Sequence, residues 1–173
     1  MYKRGDITFR LPEIEDLDRF YAMRNDEDAI RSLGGYSAGM SKKAATEWLI
    51  ARGSPGRDLI FMIIHPESGL IGHVGLYEID HRIRMGEFAI LIGDKNYWGR
   101  GIGESATRFM INYGFDNLNL NRVQLEVLST NQRAIKLYER VGFTLEGTRR
   151  QVQYKDGQYI DSHLMSVLRN DAE

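Results

Sequence analysis

Cysteine is missing altogether from this chain of 173 residues, which excludes disulfide frameworks, thiolate zinc sites and any mechanism built on a cysteine nucleophile or redox pair. Long apolar runs are missing too. The longest, Leu59 to Ile64, has six residues, far short of the roughly 20 that a membrane-spanning helix needs, so no membrane partner is expected. Charge of one sign is not in excess: 23 Lys and Arg stand against 24 Asp and Glu. Bulk attraction to phosphate backbones is therefore absent, and nucleic acid is not an expected partner. The three prolines are scattered, and neither a Pro/Gly/Ser-rich linker nor a fixed-period repeat occurs, which predicts one domain over residues 1–173. The first residues, MYKRGDITFR, carry basic groups with no apolar stretch behind them. No secretory signal is read there, and cytoplasmic residence is the expectation. What is present is a composition of 42% hydrophobic and 27% charged residues, enough for a sizeable core.

Hydrophobic periodicity divides the chain. Residues 5–10 (GDITFR) predict a short strand, and Pro12 opens an acid-rich helix with Ile14, Leu17, Tyr21 and Arg24 on one stripe. Ser41 caps a second helix with Ala44, Ala45, Trp48, Leu49 and Ala51 at helical spacing, ended by Gly53-Ser54-Pro55-Gly56. Three strand-like runs follow, LIFMIIH, LIGHVGLYEI and MGEFAILIG, joined by short turns, which predicts an antiparallel meander. A helix from about Gly101 to Phe115 presents Ile102, Ala106, Phe109, Met110 and Tyr113 on one face, and the strand Arg122–Leu128 after it requires a parallel crossover. Asn131 starts a short helix through Arg140, ended by Gly142. The last strands are predicted at Phe143–Glu146 and Gln151–Leu168, with a turn at Asp156-Gly157. The order βααβββαβαββ gives an α/β chain of the α+β kind, with a mixed, mostly antiparallel central sheet flanked by helices.

The segment NYWGRGIGES joins the third meander strand to the most amphipathic helix. Its Gly99, Gly101 and Gly103 have the spacing G-x-G-x-G. Glycines there let backbone N–H groups at a helix start converge on an anion, where the helix dipole adds roughly half a positive charge. Arg100 adds a possible charge-assisted contact. Helix-opening glycines also occur for steric reasons alone, and context narrows the choice. A Walker A loop needs Gly-Lys-Ser/Thr, which is missing, and a dinucleotide fold places its glycines after the first strand of repeated βαβ units.

The string YWGRGIGE resembles the acyl-CoA pyrophosphate loop of the GNAT superfamily of N-acetyltransferases, Q/R-x-x-G-x-G/A, with Trp98 at or near the first polar position. RMGEFAILIG resembles the strand R-x-E-φ-x-φ-x-φ of the branch that holds ribosomal-protein N-terminal and spermidine acetyltransferases. STNQRAIKLYERVGFTLEG and RRQVQYKDGQYIDSHLM resemble that branch's next motif and its closing hairpin, so the likeness covers about residues 70–165. It implies a GNAT-like fold, acetyl-CoA as co-substrate, and an amine acceptor that is a small molecule or a protein N-terminus. It also allows a homodimer. The loop implied to hold the pyrophosphate comprises Trp98, Gly99, Arg100, Gly101, Ile102 and Gly103. Backbone groups of Ala89, Ile90, Leu91 and Ile92 are implied to align the pantetheine arm, where two parallel strands splay apart.

Direct transfer needs a neutral amine, a stabilised oxyanion and a protonated leaving thiolate. Glu87 is the candidate base. Period-two alternation sets it with Met85, Ala89 and Leu91, an apolar setting that raises a carboxylate pKa; the plainer alternative is an ion pair with Arg84 or Arg82. Tyr138 is the candidate acid and Asn131 a candidate contact to the CoA arm, seven residues apart on one helical stripe. The plainer alternatives are a core aromatic and an ordinary N-cap. His65, His73, His81 and His163 lack metal-ligand spacing, so no metal is expected. Trp48 reads as core, and Arg149, Arg150 and Lys155 as a solvated edge. A non-catalytic acyl-CoA sensor or scaffold is the alternative function. The acceptor is open: Asp26, Glu27 and Asp28 are followed, after Ala29, by IRSLGGYSAGMSKK, which is weak acidity for a polycation.

Overall fold

Gly5, at φ +57°, reverses the chain between β1 (Tyr2–Arg4) and β2 (Ile7–Arg10), which pair antiparallel. A hairpin thus stands where the sequence predicts one strand, because alternation in so short a run does not reveal the turn. In this computed structural model residues 1–31, 33, 38–54 and 56–171 are described; the predicted break at Pro55 and most of the stretch after Arg31 lie outside them. The remaining elements are α1 (Leu17–Arg24), α2 (Glu27–Arg31), α3 (Lys42–Arg52), β3 (Leu59–His65), β4 (Gly69–Asp80), β5 (Met85–Ile92), α4 (Ile102–Asp116), β6 (Arg122–Leu128), α5 (Gln132–Arg140), β7 (Thr144–Lys155) and β8 (Gln158–Leu168).

The strands form one sheet in the order β1-β2-β3-β4-β5-β6-β8-β7. Every neighbouring pair is antiparallel except β5 and β6. On one face α4 buries Ala106, Phe109 and Met110 against Leu76, Phe88, Val123 and Leu125. On the other, α1 and α3 bury Phe20, Met23, Ala45 and Leu49 against Met62 and Leu70. Covering both faces explains why β3 reads as an unbroken apolar run.

Four expectations need correction. A 3-10 turn at Ile14–Asp16 precedes α1 and shifts its helical phase, so Phe20 and Met23 are buried while Ile14 is exposed. The turn is fixed by Arg10, which grips Asp16 at 2.6 and 2.8 Å. Second, α2 was not legible: five residues carry no periodicity, and Asp26 nucleates the helix by accepting the Ala29 N–H at 2.9 Å. Third, Lys155 is no solvated edge. Its ammonium donates to the carbonyls of Arg31 at 3.0 Å and of Leu33, just past the end of α2. Arg149 and Arg150 are exposed as expected, Arg149 pairing with Glu126 at 2.8 Å. Fourth, the predicted break between Glu146 and Gln151 is a pair of irregularities in one continuous β7. Gln151 takes φ +52°, its N–H bonded to Asp161 at 2.8 Å, and pairing with β8 then resumes.

Candidate functional site

The parallel ladder between β5 and β6 is short: Met85, Gly86 and Glu87 pair with Arg122, Val123 and Gln124. Beyond it β5 continues to Ile92 along β4, and β6 continues to Leu128 along β8. The two strands therefore part just after Glu87, and the edge of β5 from Phe88 to Leu91 that faces β6 has no strand partner among the described residues. Tyr138, from α5, sits at this wedge. Its ring meets Phe88 edge-on at 6.0 Å and Phe143 at 5.6 Å. The phenol makes no hydrogen bond among the described residues, and burial pushes its pKa up to about 12.

The glycine turn lies at the other end of the wedge. Gly99 and Gly101 both take φ +78°, and no atom lies within 4 Å of where a Cβ would stand on either. The left-handed Gly101 caps α4 and brings no side chain to the cap. Consequently the N–H groups from Gly99 to Glu104 donate to no backbone acceptor among the described residues, a row of unsatisfied donors at a helix start. Gly103 is needed for a different reason: a Cβ there would stand 3.2 Å from Leu137 Cδ1, so the glycine lets α4 and α5 close up. Glu104 fastens the two helices by accepting from Arg108 at 3.0 Å and Arg140 at 3.4 Å.

The remaining predicted residues divide. Arg100 is exposed, its guanidinium 5.3 Å from the Tyr97 ring. Ile102 opens α4 half-buried against the core. Trp98 holds the turn in place, because its indole N–H donates to the Ile92 carbonyl at 2.8 Å. That carbonyl is thus already taken. Asn131 is the N-cap of α5, accepting the Ala134 N–H at 3.2 Å. Leu91 is buried on the face that carries α1 and α3, Ile90 packs against the opposite core, and Ala89 is exposed.

Glu87 departs from its expected setting. It is exposed rather than enclosed by apolar groups. Its pKa is nonetheless raised, by partial burial first and then by the carboxylates of Glu126 and Glu78. The alternative ion pairs are not made, since Arg84 is bonded to Asn119 at 2.7 and 2.9 Å.

One cluster was not singled out from the sequence. Tyr77 stands opposite Glu87 in the β4–β5 register, and His73 lies four residues back on the same face of β4. Arg24 and Arg52 reach this face from α1 and α3, close enough to act on both residues electrostatically. The available signal was an arginine on the otherwise apolar stripe of the first helix.

Residues 6–144 match the family described as Acetyltransferase (GNAT) domain. The chain belongs to the GNAT family. It is accordingly an acetyl-CoA-dependent N-acetyltransferase, which sets the enzyme above the sensor alternative. The chain is 28% identical over 168 residues to the uncharacterized N-acetyltransferase p20 of Bacillus licheniformis, covering 95% of this chain and 94% of the relative. It is 35% identical over 108 residues to the spermidine N(1)-acetyltransferase of Escherichia coli K12, covering 62% of this chain and 58% of that relative's length. Among solved structures, the spermidine N-acetyltransferase from Vibrio cholerae in complex with CoA and spermine superposes with a TM-score of 0.89 at 26% identity. That match covers 98% of this chain and 99% of the other. The resemblance read from the glycine turn and the β5 strand thus extends over the whole fold.

Proposed function

We propose that this GNAT enzyme, acting as a single domain over residues 1–173, transfers acetyl directly from acetyl-CoA to a primary amine at the wedge between β5 and β6. The observation that carries the reading is the parting of those strands just after Glu87, with the Tyr138 phenol at the opening and a row of unsatisfied N–H groups one strand-length away. The turn from Trp98 to Gly103 takes the pyrophosphate on its backbone, with Arg100 adding charge. Asn131 and the free edge of Ala89 to Leu91 line the pantetheine arm. Ile92 contributes through the Trp98 lock rather than through its own carbonyl.

The amine attacks the thioester carbonyl, the new C–N bond forms, and the C–S bond breaks on collapse of the tetrahedral oxyanion. Glu87 takes the proton the nitrogen must lose, a task that its raised pKa suits. Tyr138 gives a proton to the departing thiolate; a phenol held near 12 is fully protonated at neutral pH. Polyamine acetyltransferases among the relatives make spermidine one acceptor to assay, with protein N-termini and other small amines beside it. A cytoplasmic location and a homodimer complete the reading, open to fractionation and sedimentation.

The direct test is the CoA-dependent shift in melting temperature. Ligand at 100 times Kd adds about 2.7 kcal/mol, and Gly101→Val should remove that gain because its side chain fills the space an anion would occupy. The strain of φ +78° lowers the variant's own Tm, so the quantity compared is the shift. An unchanged shift in folded Gly101→Val would remove CoA from this turn.

A further inference from the structure

Among the described residues, Arg24 has no counter-ion. The side chain is half-buried, its Nε is shielded from solvent with no hydrogen-bond partner, and no carboxylate among the described residues lies within ion-pair distance. Desolvation accordingly lowers its pKa, outweighing the opposing influence of the Tyr77 phenol. Its neighbour differs: Arg52 is neutralised by Asp58 at 3.0 Å and lies 4.8 Å from the Trp48 ring. A partly buried charge that no described residue pairs is costly, and that cost is recovered when an anion arrives.

The surroundings specify which anion. His73 is buried, and both ring nitrogens lack a partner among the described residues. It is packed beside Trp48 at 5.3 Å and Phe20 at 5.8 Å. Burial and the two arginines hold its pKa down to about 3, so it is neutral and carries one free N–H. The Tyr77 phenol, raised to about 12, is a second neutral donor. One uncompensated positive charge with two neutral donors matches a monoanion. The Nε edge of a guanidinium offers two parallel N–H groups, which a carboxylate accepts side by side; a phosphate dianion would remain half-neutralised.

The cluster also has the right position. Tyr77 and Glu87 are cross-strand partners, about 4.8 Å apart across the sheet. The next register pair on this face is Gly75 and Ala89; Ile60 Cδ1 occupies the space over Gly75, 2.8 Å from where a Cβ would stand, and the small side chain beside Glu87 that is exposed is Ala89. The acidic residues Asp26, Glu27 and Asp28 are already paired, with Lys95 and Arg31, and Ala29 to Thr46 adds no Asp or Glu, which is weak acidity for a polycation. We infer that this face is a carboxylate subsite: the acceptor is a small amine that also bears a carboxylate, paired by Arg24 and hydrogen-bonded by His73 and Tyr77, with its amine directed to Glu87. The inference deepens the proposed function and rests on it for the position of the amine.

The test uses the full chain with saturating CoA and follows binding by calorimetry and, separately, CoA release from acetyl-CoA. The probes are L-phenylalanine, L-methionine and β-alanine, each against its carboxamide, together with phosphoethanolamine and spermidine. At least one aminocarboxylate should bind 10-fold or more tighter than its amide. Arg24→Gln should erase that preference and Arg24→Lys restore part of it, while the CoA-induced rise in Tm stays as in the parent protein. Equal binding of acids and amides, an unchanged preference in Arg24→Gln, or preference for phosphoethanolamine or spermidine over every aminocarboxylate would each overturn the subsite. Arg24-dependent carboxylate binding without CoA release from any amine would keep the subsite and sink the transfer reading. Turnover of spermidine with no carboxylate preference would do the reverse.

Discussion

Trp98 donates its indole N–H to the carbonyl of Ile92 at 2.8 Å, so the start of the glycine turn is tied to the last residue of β5. Two parts of the proposed CoA site, the anion-binding turn and the edge of the splayed strand, are thereby held in one geometry. Arg133, 5.4 Å from the indole ring, covers it from α5. Trp98→Phe keeps a ring and removes the donor, leaving the Ile92 carbonyl without this partner at a cost of about 1 kcal/mol. The expected result is a rise of roughly 3- to 10-fold in KM for acetyl-CoA with a smaller change in kcat. Equal loss in both would place Trp98 in the chemistry instead.

Tyr138→Phe preserves the contacts to Phe88 and Phe143 and deletes only a hydroxyl that no described residue bonds. Stability and acetyl-CoA affinity should hold, while kcat falls roughly 10- to 1,000-fold, the range of general-acid loss. Retained kcat would make Tyr138 a packing residue, and the core-aromatic reading would be right.

Glu87 makes two predictions of definite sign. Its carboxyl is held above its ordinary pKa by burial and by Glu126 and Glu78, so ionising it disfavours the folded state at neutral pH. Glu87→Gln should therefore leave the neutral-pH Tm unchanged or slightly raised. If Glu87 is the base, kcat/KM should fall most near pH 7 and recover partly toward pH 10, where solvent supplies the neutral amine. Parallel pH profiles accompanied by a lowered Tm would end the general-base assignment.

Arg122 grips both oxygens of Glu146 at 2.7 and 2.5 Å, and the Ser166 hydroxyl adds a bond at 2.7 Å, a junction across β6, β8 and β7. These donors hold the carboxyl down to about 2, from an ordinary value of 4.5. A depressed pKa contributes stability that is full above about 4.5 and is lost as pH falls toward 2. Glu146→Gln should lower Tm at pH 7, and the gap to the parent protein should close between pH 4.5 and 2. A gap independent of pH would show that the ion pair is not its source.

Local signals in the sequence determined much of this protein. Repeated apolar runs with turn residues between them marked β3, β4 and β5, Ser41 marked the start of α3, and the glycine turn together with the motifs from β5 to the closing hairpin carried the resemblance to the family. These are short-range properties, written in neighbouring residues. The tertiary structure decided the rest. Only the end of the β5–β6 ladder after Glu87 makes a wedge, and only the packing of α5 brings Tyr138, 51 positions further along the chain, to it. The 3-10 turn before α1 reset a helical phase that periodicity alone misjudged. Arg24 shows the division most plainly. Its place on an apolar stripe was visible, but its lack of a partner depends on what α3 and β4 bring alongside. Partners distant in sequence leave no local pattern, because charge pairing acts through space, whereas helix and strand periods act along the chain.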